Sequence, residues 1–204
     1  MRKSLIIFIF ITLLCNNQLS NAQSSPLMEI IAEADRLVEE SKDKQVLFLL
    51  EQVDINDYRN ESDVVLGTFY FEKAVAYGLN DSYPNCIQSF IKACDYYEKS
   101  GFTYGNDNFL HSLQSLGQIY YNLGNLVLSE RCFRKIIIYE TAHVTIDSKY
   151  KVTNYLYNAY CNLGIIYVDR KEKDKAEMCL SYLMENENSV HNKYYIDLYS
   201  YINK

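Results

Sequence analysis

The chain has 204 residues, of which 49% are hydrophobic and 23% are charged, and its formal net charge is −6. This is the composition of a globular protein that can bury a core, and it excludes an intrinsically disordered chain. Only two prolines and seven glycines are present, which disfavours an all-β sandwich with turn signals every roughly 8 to 12 residues and favours an all-α fold.

Residues 1–22 have the pattern of a cleaved secretory signal peptide. Two basic residues precede an apolar run over residues 5–14, and Ser20 and Ala22 are small residues at the two positions that a signal peptidase reads. The run is shorter than the roughly 20 residues of a membrane span. We therefore expect an exported mature chain, 23–204, that has no membrane span.

Cys15 allows a second interpretation, in which the chain is a lipoprotein with a lipid on this residue. A lipoprotein signal resembles Leu, two small residues and then Cys, whereas Leu14 directly precedes Cys15 here. Cleavage after Ala22 is therefore the favoured expectation. It places the protein in the periplasm or cell envelope of a Gram-negative bacterium.

The charge of the mature chain argues against some partners. Cleavage would remove two of the 20 Lys and Arg residues and none of the 26 Asp and Glu residues, which leaves 18 against 26 and a net charge of −8. An acidic chain with no basic cluster is unsuited to nucleic acid or to anionic lipid surfaces.

An odd number of cysteines, five, would remain after cleavage. An odd number excludes a closed disulfide framework, and no pair has the Cys-x-x-Cys spacing of a zinc or redox site. We expect mostly reduced thiols that act as small buried residues, although the sequence leaves their redox state open. They are Cys86, Cys94, Cys132, Cys161 and Cys179.

Two segments in the first half of the mature chain, 27–56 and 63–99, show apolar and small residues at intervals of three and four. The intervals match those of two clearer copies further along the chain. Each segment is therefore predicted to form a hairpin of two helices. The packing positions assigned in them are Ala34, Ala74, Tyr77 and Phe90.

The clearest copy lies at residues 108–140. Leu116, Gly117 and Tyr120 lie on one apolar stripe of its first predicted helix. Glycine costs about 1 kcal/mol relative to alanine inside a helix, so its presence predicts that another helix approaches closely. The next helix provides Phe133 for this contact.

A second copy follows at residues 149–184. Leu163, Gly164 and Tyr167 repeat the pattern on its first helix, and Ala176 takes the small position on its second. A helical pattern at 191–203 is predicted to cap this last hairpin.

These two copies resemble the tetratricopeptide repeat, whose first helix carries a large residue, Leu-Gly and then Tyr, and whose second carries Ala and a bulky residue four positions later. Ser129 replaces the alanine in the earlier copy, and the closing proline is absent from both. The resemblance implies that residues 23–204 form one α-solenoid domain, a helical-hairpin solenoid of about four hairpins plus the capping helix. It also implies a non-catalytic scaffold that binds a protein or peptide.

In that family the outer faces of the first helices line a concave groove, so the resemblance also implies a set of partner-binding residues. The stripe in the clearest copy is rich in amides and has no Lys or Arg, which suits a peptide backbone better than a terminal carboxylate. The residues are His111, Gln114, Gln118, Tyr121, Asn122, Asn158, Asp169, Thr68 and Phe71.

Catalytic patterns are absent from the sequence. The three histidines lie far apart, with His111 expected in the first turn of a helix and His143 and His191 expected in polar loops at the surface. We found no paired carboxylates with a reason to shift their pKa, and we expect no metal, no cofactor and no enzyme activity.

Two alternatives stay open: a sensory module related to the outer part of membrane-bound regulators, and a carbohydrate-binding protein or hydrolase that uses the 20 tyrosines. The partner and the oligomeric state are also open.

Overall fold

A computed structural model describes residues 25–101, 107–146, 153–185 and 192–203. These residues form nine α-helices and one short 3₁₀ helix, and no β-strand occurs among them. The chain divides into two compact units at residues 106 and 107. No helix of the described ranges is long and apolar enough to cross a membrane. The predicted signal peptide, with Cys15 and the cleavage position, lies outside these ranges, as does His191.

The first unit consists of two helical hairpins. Ser25 and Ser62 begin their first helices, because each hydroxyl oxygen accepts a hydrogen bond at 3.3 Å from the backbone N–H three residues later. The helices are α1 (Pro26–Glu39), α2 (Asp43–Glu51), α3 (Asp63–Leu79) and α4 (Tyr83–Lys99), with the 3₁₀ helix Ile55–Tyr58 after α2. Helix α3 packs against α1, α2 and α4.

The second unit consists of two hairpins and a C-terminal helix, and a buried carboxylate connects the hairpins. Glu140 is fully buried and accepts hydrogen bonds from the amide of Thr153 at 3.0 Å and from its hydroxyl at 2.7 Å. A negative charge is favourable at a helix N-terminus, so this contact fixes the start of the second hairpin. The helices are α5 (Asp107–Asn122), α6 (Leu126–Ile146), α7 (Asn154–Asp169), α8 (Lys173–Glu185) and α9 (Asn192–Ile202).

One turn recurs in all four hairpins of the described chain. After each first helix, one residue has a φ between 57° and 76°, and the next residue donates its N–H to a carbonyl five positions earlier at 2.8 or 2.9 Å. This is the Schellman motif that ends many helices. Each turn residue comes seven positions after the small residue assigned from the sequence. The turn residues are Ser41, Asp81, Gly124 and Lys171, after Ala34, Ala74, Gly117 and Gly164.

Two glycines of the second unit permit close helix contacts, but with different neighbours. A Cβ added to Gly117 would lie 2.8 Å from the ring of Phe133 on α6, the neighbour that the sequence predicts. A Cβ added to Gly164 would lie 2.5 Å from the side chain of Leu198 on α9. The gap at Gly164 is therefore filled by the C-terminal helix.

Helix α6 is longer than the sequence predicts, and the loop placement of His143 is wrong. The helix continues to Ile146, and His143 lies within it with only 8% of its surface exposed. Its Nδ1 is 2.7 Å from the carbonyl oxygen of Tyr139, and the two rings are 4.1 Å apart. These contacts bury a polar side chain that the sequence placed at the surface.

None of the five cysteines of the described chain forms a disulfide; four of them are buried, and Cys132 is half-buried. Burial raises the pKa of Cys86 to about 12 and that of Cys179 to about 11. A buried thiol with a raised pKa is a poor nucleophile. The cysteines therefore serve as small packing residues.

Candidate partner-binding surface

Three predicted groove residues share one exposed face of α5. Gln114, Gln118 and Asn122 are four residues apart, which places them on one side of the helix. Gln118 and Gln114 are half-buried and Asn122 is exposed. The amide nitrogen of Gln118 donates to Oδ1 of Asn122 at 3.3 Å, and each side chain keeps further donor and acceptor capacity.

Two further amides lie on the corresponding face of α7. The side-chain nitrogen of Asn162 donates to Oδ1 of Asn158 at 2.8 Å and to its backbone oxygen at 2.9 Å. Asn162 was not predicted, although its spacing of four from Asn158 was a usable signal. Tyr194 of α9 lies close to Asn158; burial raises the pKa of this tyrosine, and the interaction with Asn158 partly offsets the rise.

A carboxylate with two tyrosine hydroxyls connects α5, α7 and α9 at their C-terminal ends. The hydroxyl of Tyr121 donates to Oδ2 of Asp169 at 2.7 Å, and that of Tyr201 donates to Oδ1 at 2.9 Å. The two hydroxyl oxygens are 3.5 Å apart. Burial raises the pKa of Tyr121, and the hydrogen bonds to Tyr201 and Asp169 raise it further. Tyr121 and Asp169, two of the predicted groove residues, therefore bind each other.

The hydrogen bonds from Tyr121 and Tyr201 to Asp169 hold the C-terminal ends of α5, α7 and α9 together. Tyr121, Asp169 and Tyr201 are each at the end of their helix, so α5, α7 and α9 run in the same direction. Because Tyr121 follows Gln118 by three residues and Asp169 follows Asn162 by seven, the two sets of amides lie on adjoining faces. We call this surface the amide face: Gln114, Gln118, Asn122, Asn158 and Asn162.

His111 lies at the first turn of α5, as predicted, but its placement in the exposed groove is wrong. Only 8% of the residue is exposed, and its ring centroid is 6.4 Å from that of Tyr155 on α7. Burial lowers the pKa of His111 to about 4, since the charged imidazolium loses hydration there. His111 is thus a neutral packing residue at neutral pH.

The two predicted groove residues of the first unit belong to the interior of their own hairpin. Phe71 is 5% exposed and packs edge-on against Phe90, with ring centroids 6.0 Å apart. Thr68 accepts a hydrogen bond at 3.2 Å from the hydroxyl of Tyr97 on α4. Phe71 is therefore corrected to a core residue, and Thr68 contacts the second helix of its hairpin.

The repeat positions assigned from the sequence occupy the interior. Ten of the twelve are buried, and Tyr77 and Tyr120 are half-buried. Ser129 stands where the repeat usually has alanine, and its hydroxyl donates to the backbone oxygen of Gly117 at 2.8 Å. The buried positions are Ala34, Ala74, Phe90, Leu116, Gly117, Phe133, Leu163, Gly164, Tyr167 and Ala176.

The first unit contains a carboxyl pair that the sequence did not reveal. Glu72 of α3 is 4% exposed and lies close to Asp35 of α1, whose Oδ1 is buried without a hydrogen-bond partner in the described part of the chain. Burial raises the pKa of Glu72 well above its usual value, and the charge of Asp35 raises it further. The pKa of Asp35 is also raised by burial. Both shifts favour the protonated form of these carboxyl groups, and the sequence signal for the pair was a lone glutamate in an apolar stretch of helix.

Metal chemistry finds no support in the described parts of the chain, where no three His, Cys, Asp or Glu side chains come together to hold an ion. The carboxyl pair is enclosed between helices. The amide face offers hydrogen bonds but no nucleophile paired with a base. Its arrangement suits reversible binding.

Comparison with solved structures identifies the type of fold. Two crystal structures, of the nearly identical TPR-like repeats of a putative kinesin light chain from Podosopora anserina and of a single-substitution variant of it, superpose with TM-scores of 0.61 and 0.62. The chain has a tetratricopeptide-like fold. Each match covers 87% of this chain and 86% of the other at 16% sequence identity, which establishes the fold alone. No family model and no curated protein matches the sequence.

Proposed function

We propose that this tetratricopeptide-like protein is a non-catalytic binding module that holds an extended segment of a protein partner on its amide face. The amide face carries the proposal. It presents five side chains, each with both donors and acceptors, on two adjoining parallel helices. An extended peptide also alternates donors and acceptors along its backbone.

The charge of the surface supports a neutral or basic partner. No Lys or Arg belongs to the amide face, and Asp169 provides a negative charge beside it. The mature chain is acidic overall. A terminal carboxylate would find no cation on this face, so an internal peptide segment fits it better.

A triple substitution tests the proposal. Replacement of Gln114, Gln118 and Asn122 by alanine removes three exposed or half-exposed amides. Each lost hydrogen bond to the partner is worth about 0.5–1.5 kcal/mol, so the three together should weaken binding by about tenfold or more. Stability should change by less than about 0.5 kcal/mol per site, as is usual for surface positions.

A matched control removes three exposed amides of the first unit, with Gln45, Gln52 and Asn60 replaced by alanine. Parent, variant and control would be immobilised, and the proteins that each captures from an envelope extract would be quantified by mass spectrometry. Selective loss in the variant supports the proposal. Equal capture by all three proteins contradicts it.

We also propose that the protein acts after export, as a scaffold or adaptor in the cell envelope. The proposal rests on the signal-peptide pattern of residues 1–22. N-terminal sequencing of the protein from the envelope fraction should begin at Gln23. Incorporation of a labelled fatty acid would show the Cys15 lipoprotein form, and recovery of the uncleaved chain from the cytoplasm would contradict export. Co-purification of a membrane-bound regulator would favour the sensory alternative.

A further inference from the structure

A cleft in the first unit shares no residue with the amide face and has no role in the proposed function. It has a volume of about 190 Å³ and lies between α3, α4 and the segment that follows α2. That segment contributes Val53 and Ile55 to the wall. The polar side chains around the cleft are Tyr70, Lys73 and Tyr77 of α3 and Asn85, Gln88, Ser89 and Lys92 of α4.

The two lysines of the cleft have no carboxylate partner in an ion pair within the described ranges. The ammonium of Lys92 lies 4.9 Å from the ring centroid of Tyr70. That of Lys73 lies 5.6 Å from the ring centroid of Phe69 and donates to the backbone oxygen of Leu50 at 3.3 Å. Both cations are therefore held over aromatic rings, while their charges stay available to a ligand.

Lys73 has one carboxylate, Glu51, and one cation, Lys92, near its ammonium group. Burial lowers its pKa, Glu51 opposes this effect, and the charge of Lys92 lowers the pKa further. Glu51 accepts a hydrogen bond from the hydroxyl of Tyr77 at 3.0 Å rather than forming an ion pair with Lys73. Two like charges thus act on each other at one cleft of a chain whose net charge is negative. An anion between them would relieve this repulsion.

We propose that this cleft binds a small dianion whose charged oxygens lie between Lys73 and Lys92. The side-chain amides of Asn85 and Gln88 supply N–H donors for the remaining oxygens. The volume is below the roughly 300–1,000 Å³ of pockets for drug-sized ligands. Phosphate and short dicarboxylates combine the required charge with a size that the cleft admits.

The experiment uses the full mature chain and two probes, inorganic phosphate and malonate. Each is titrated while backbone amide shifts are followed by NMR, with ionic strength held constant by sodium chloride because salt screens surface charges. We expect saturable shifts at residues of the cleft, such as Tyr70 and Ser89. Chloride alone, as a monoanion, should produce no saturable shift there.

Two substitutions on α4 separate the site from general charge effects. Lys92→Gln removes a cation of the cleft from an exposed position, so the fold should be retained. Lys99→Gln is its match, because Lys99 is also exposed and lies 5.0 Å from the ring centroid of Tyr96 but does not line the cleft. Loss of one charged hydrogen bond should weaken dianion binding about tenfold or more in Lys92→Gln and should leave Lys99→Gln near the parent.

The two titrations and the two variants together decide whether the cleft is a dianion site. Saturable binding of either dianion that Lys92→Gln weakens and Lys99→Gln preserves supports the site. Absence of saturation with both probes overturns it, as does equal weakening in the two variants. Neither result bears on partner capture by the amide face, since the cleft and that face share no residue.

Discussion

The contact between Gly164 and Leu198 predicts a compensating pair of substitutions. Leu198 is fully buried, and its two methyl carbons lie 2.5 and 2.6 Å from the position that a Cβ on Gly164 would take. Because Leu198 is fully buried, its methyl groups can move away from a new Cβ only by displacing other side chains, so Gly164→Ala should overpack this contact. Leu198→Ala should instead leave a cavity at the same place.

The expected magnitudes follow from these contacts. Overpacking costs about 1–3 kcal/mol, which exceeds the gain of about 0.5–1 kcal/mol from replacing a helical glycine by alanine. Leu198→Ala should cost about 2–5 kcal/mol. In the double variant the new methyl group occupies space that the leucine has vacated. Its loss of stability should be smaller than the sum of the two single losses by about 1 kcal/mol or more.

Urea unfolding followed by far-UV circular dichroism measures the free energy of unfolding of the parent, the two single variants and the double variant. Gly78→Ala is the control, because a Cβ there would meet only the sulfur of Cys86 at an ordinary 3.6 Å. The control should be neutral or slightly stabilising. If Gly164→Ala behaved like Gly78→Ala and the two losses were additive, α9 would not pack on α7 at this point.

Three further predictions concern the turns, the buried carboxyl pair and the thiols. Lys171 has φ 60°, a left-handed conformation that glycine adopts more easily, so Lys171→Gly should raise the free energy of unfolding by up to about 1 kcal/mol. Gly124 has φ 76°, so Gly124→Ala should lower it by a similar amount. Urea melts measure both changes, and the same sign for both would contradict the shared turn. The folded chain keeps a proton on Glu72 that the unfolded chain releases above a pKa of about 4.3. Stability should therefore fall as the pH rises above about 4.3, and Glu72→Gln, whose amide can donate to Asp35, should flatten this slope; equal slopes would contradict a raised pKa of Glu72 in the folded chain. Burial raises the pKa of Cys132 to about 11 from a usual 9.0, which lowers its thiolate fraction at neutral pH about a hundredfold. Because a more basic thiolate is more nucleophilic, this half-buried thiol should react with Ellman's reagent about tenfold more slowly than an exposed one, and rapid reaction of several thiols would show that the core is open.

The hairpins were predictable from the sequence because their packing residues are local. A first helix, its turn and its second helix lie within about 35 residues, so intervals of three and four report directly on which side chains meet. Gly117 and Phe133 are such a pair. The turn after Gly124 was also signalled by its glycine, whereas Ser41 and Lys171 adopt the same left-handed conformation without any sequence signal.

Contacts between hairpins were not predictable in this way. Leu198 is 34 positions from Gly164, and Glu72 is 37 positions from Asp35, so helical intervals say nothing about either pair. His111 and Phe71 were assigned to the groove by their register alone. The register gives the direction of a side chain from its helix but not whether a neighbouring ring, such as Tyr155 or Phe90, covers it.

Site-specific photo-crosslinking in the source cells tests the central claim most directly. A photoreactive amino acid would replace Gln118 at the centre of the amide face and, in a separate strain, Met178 on α8, where 71% of the residue is exposed. The account predicts a discrete crosslinked protein partner from position 118 and none from position 178. A partner captured only from position 178 would contradict binding at the amide face.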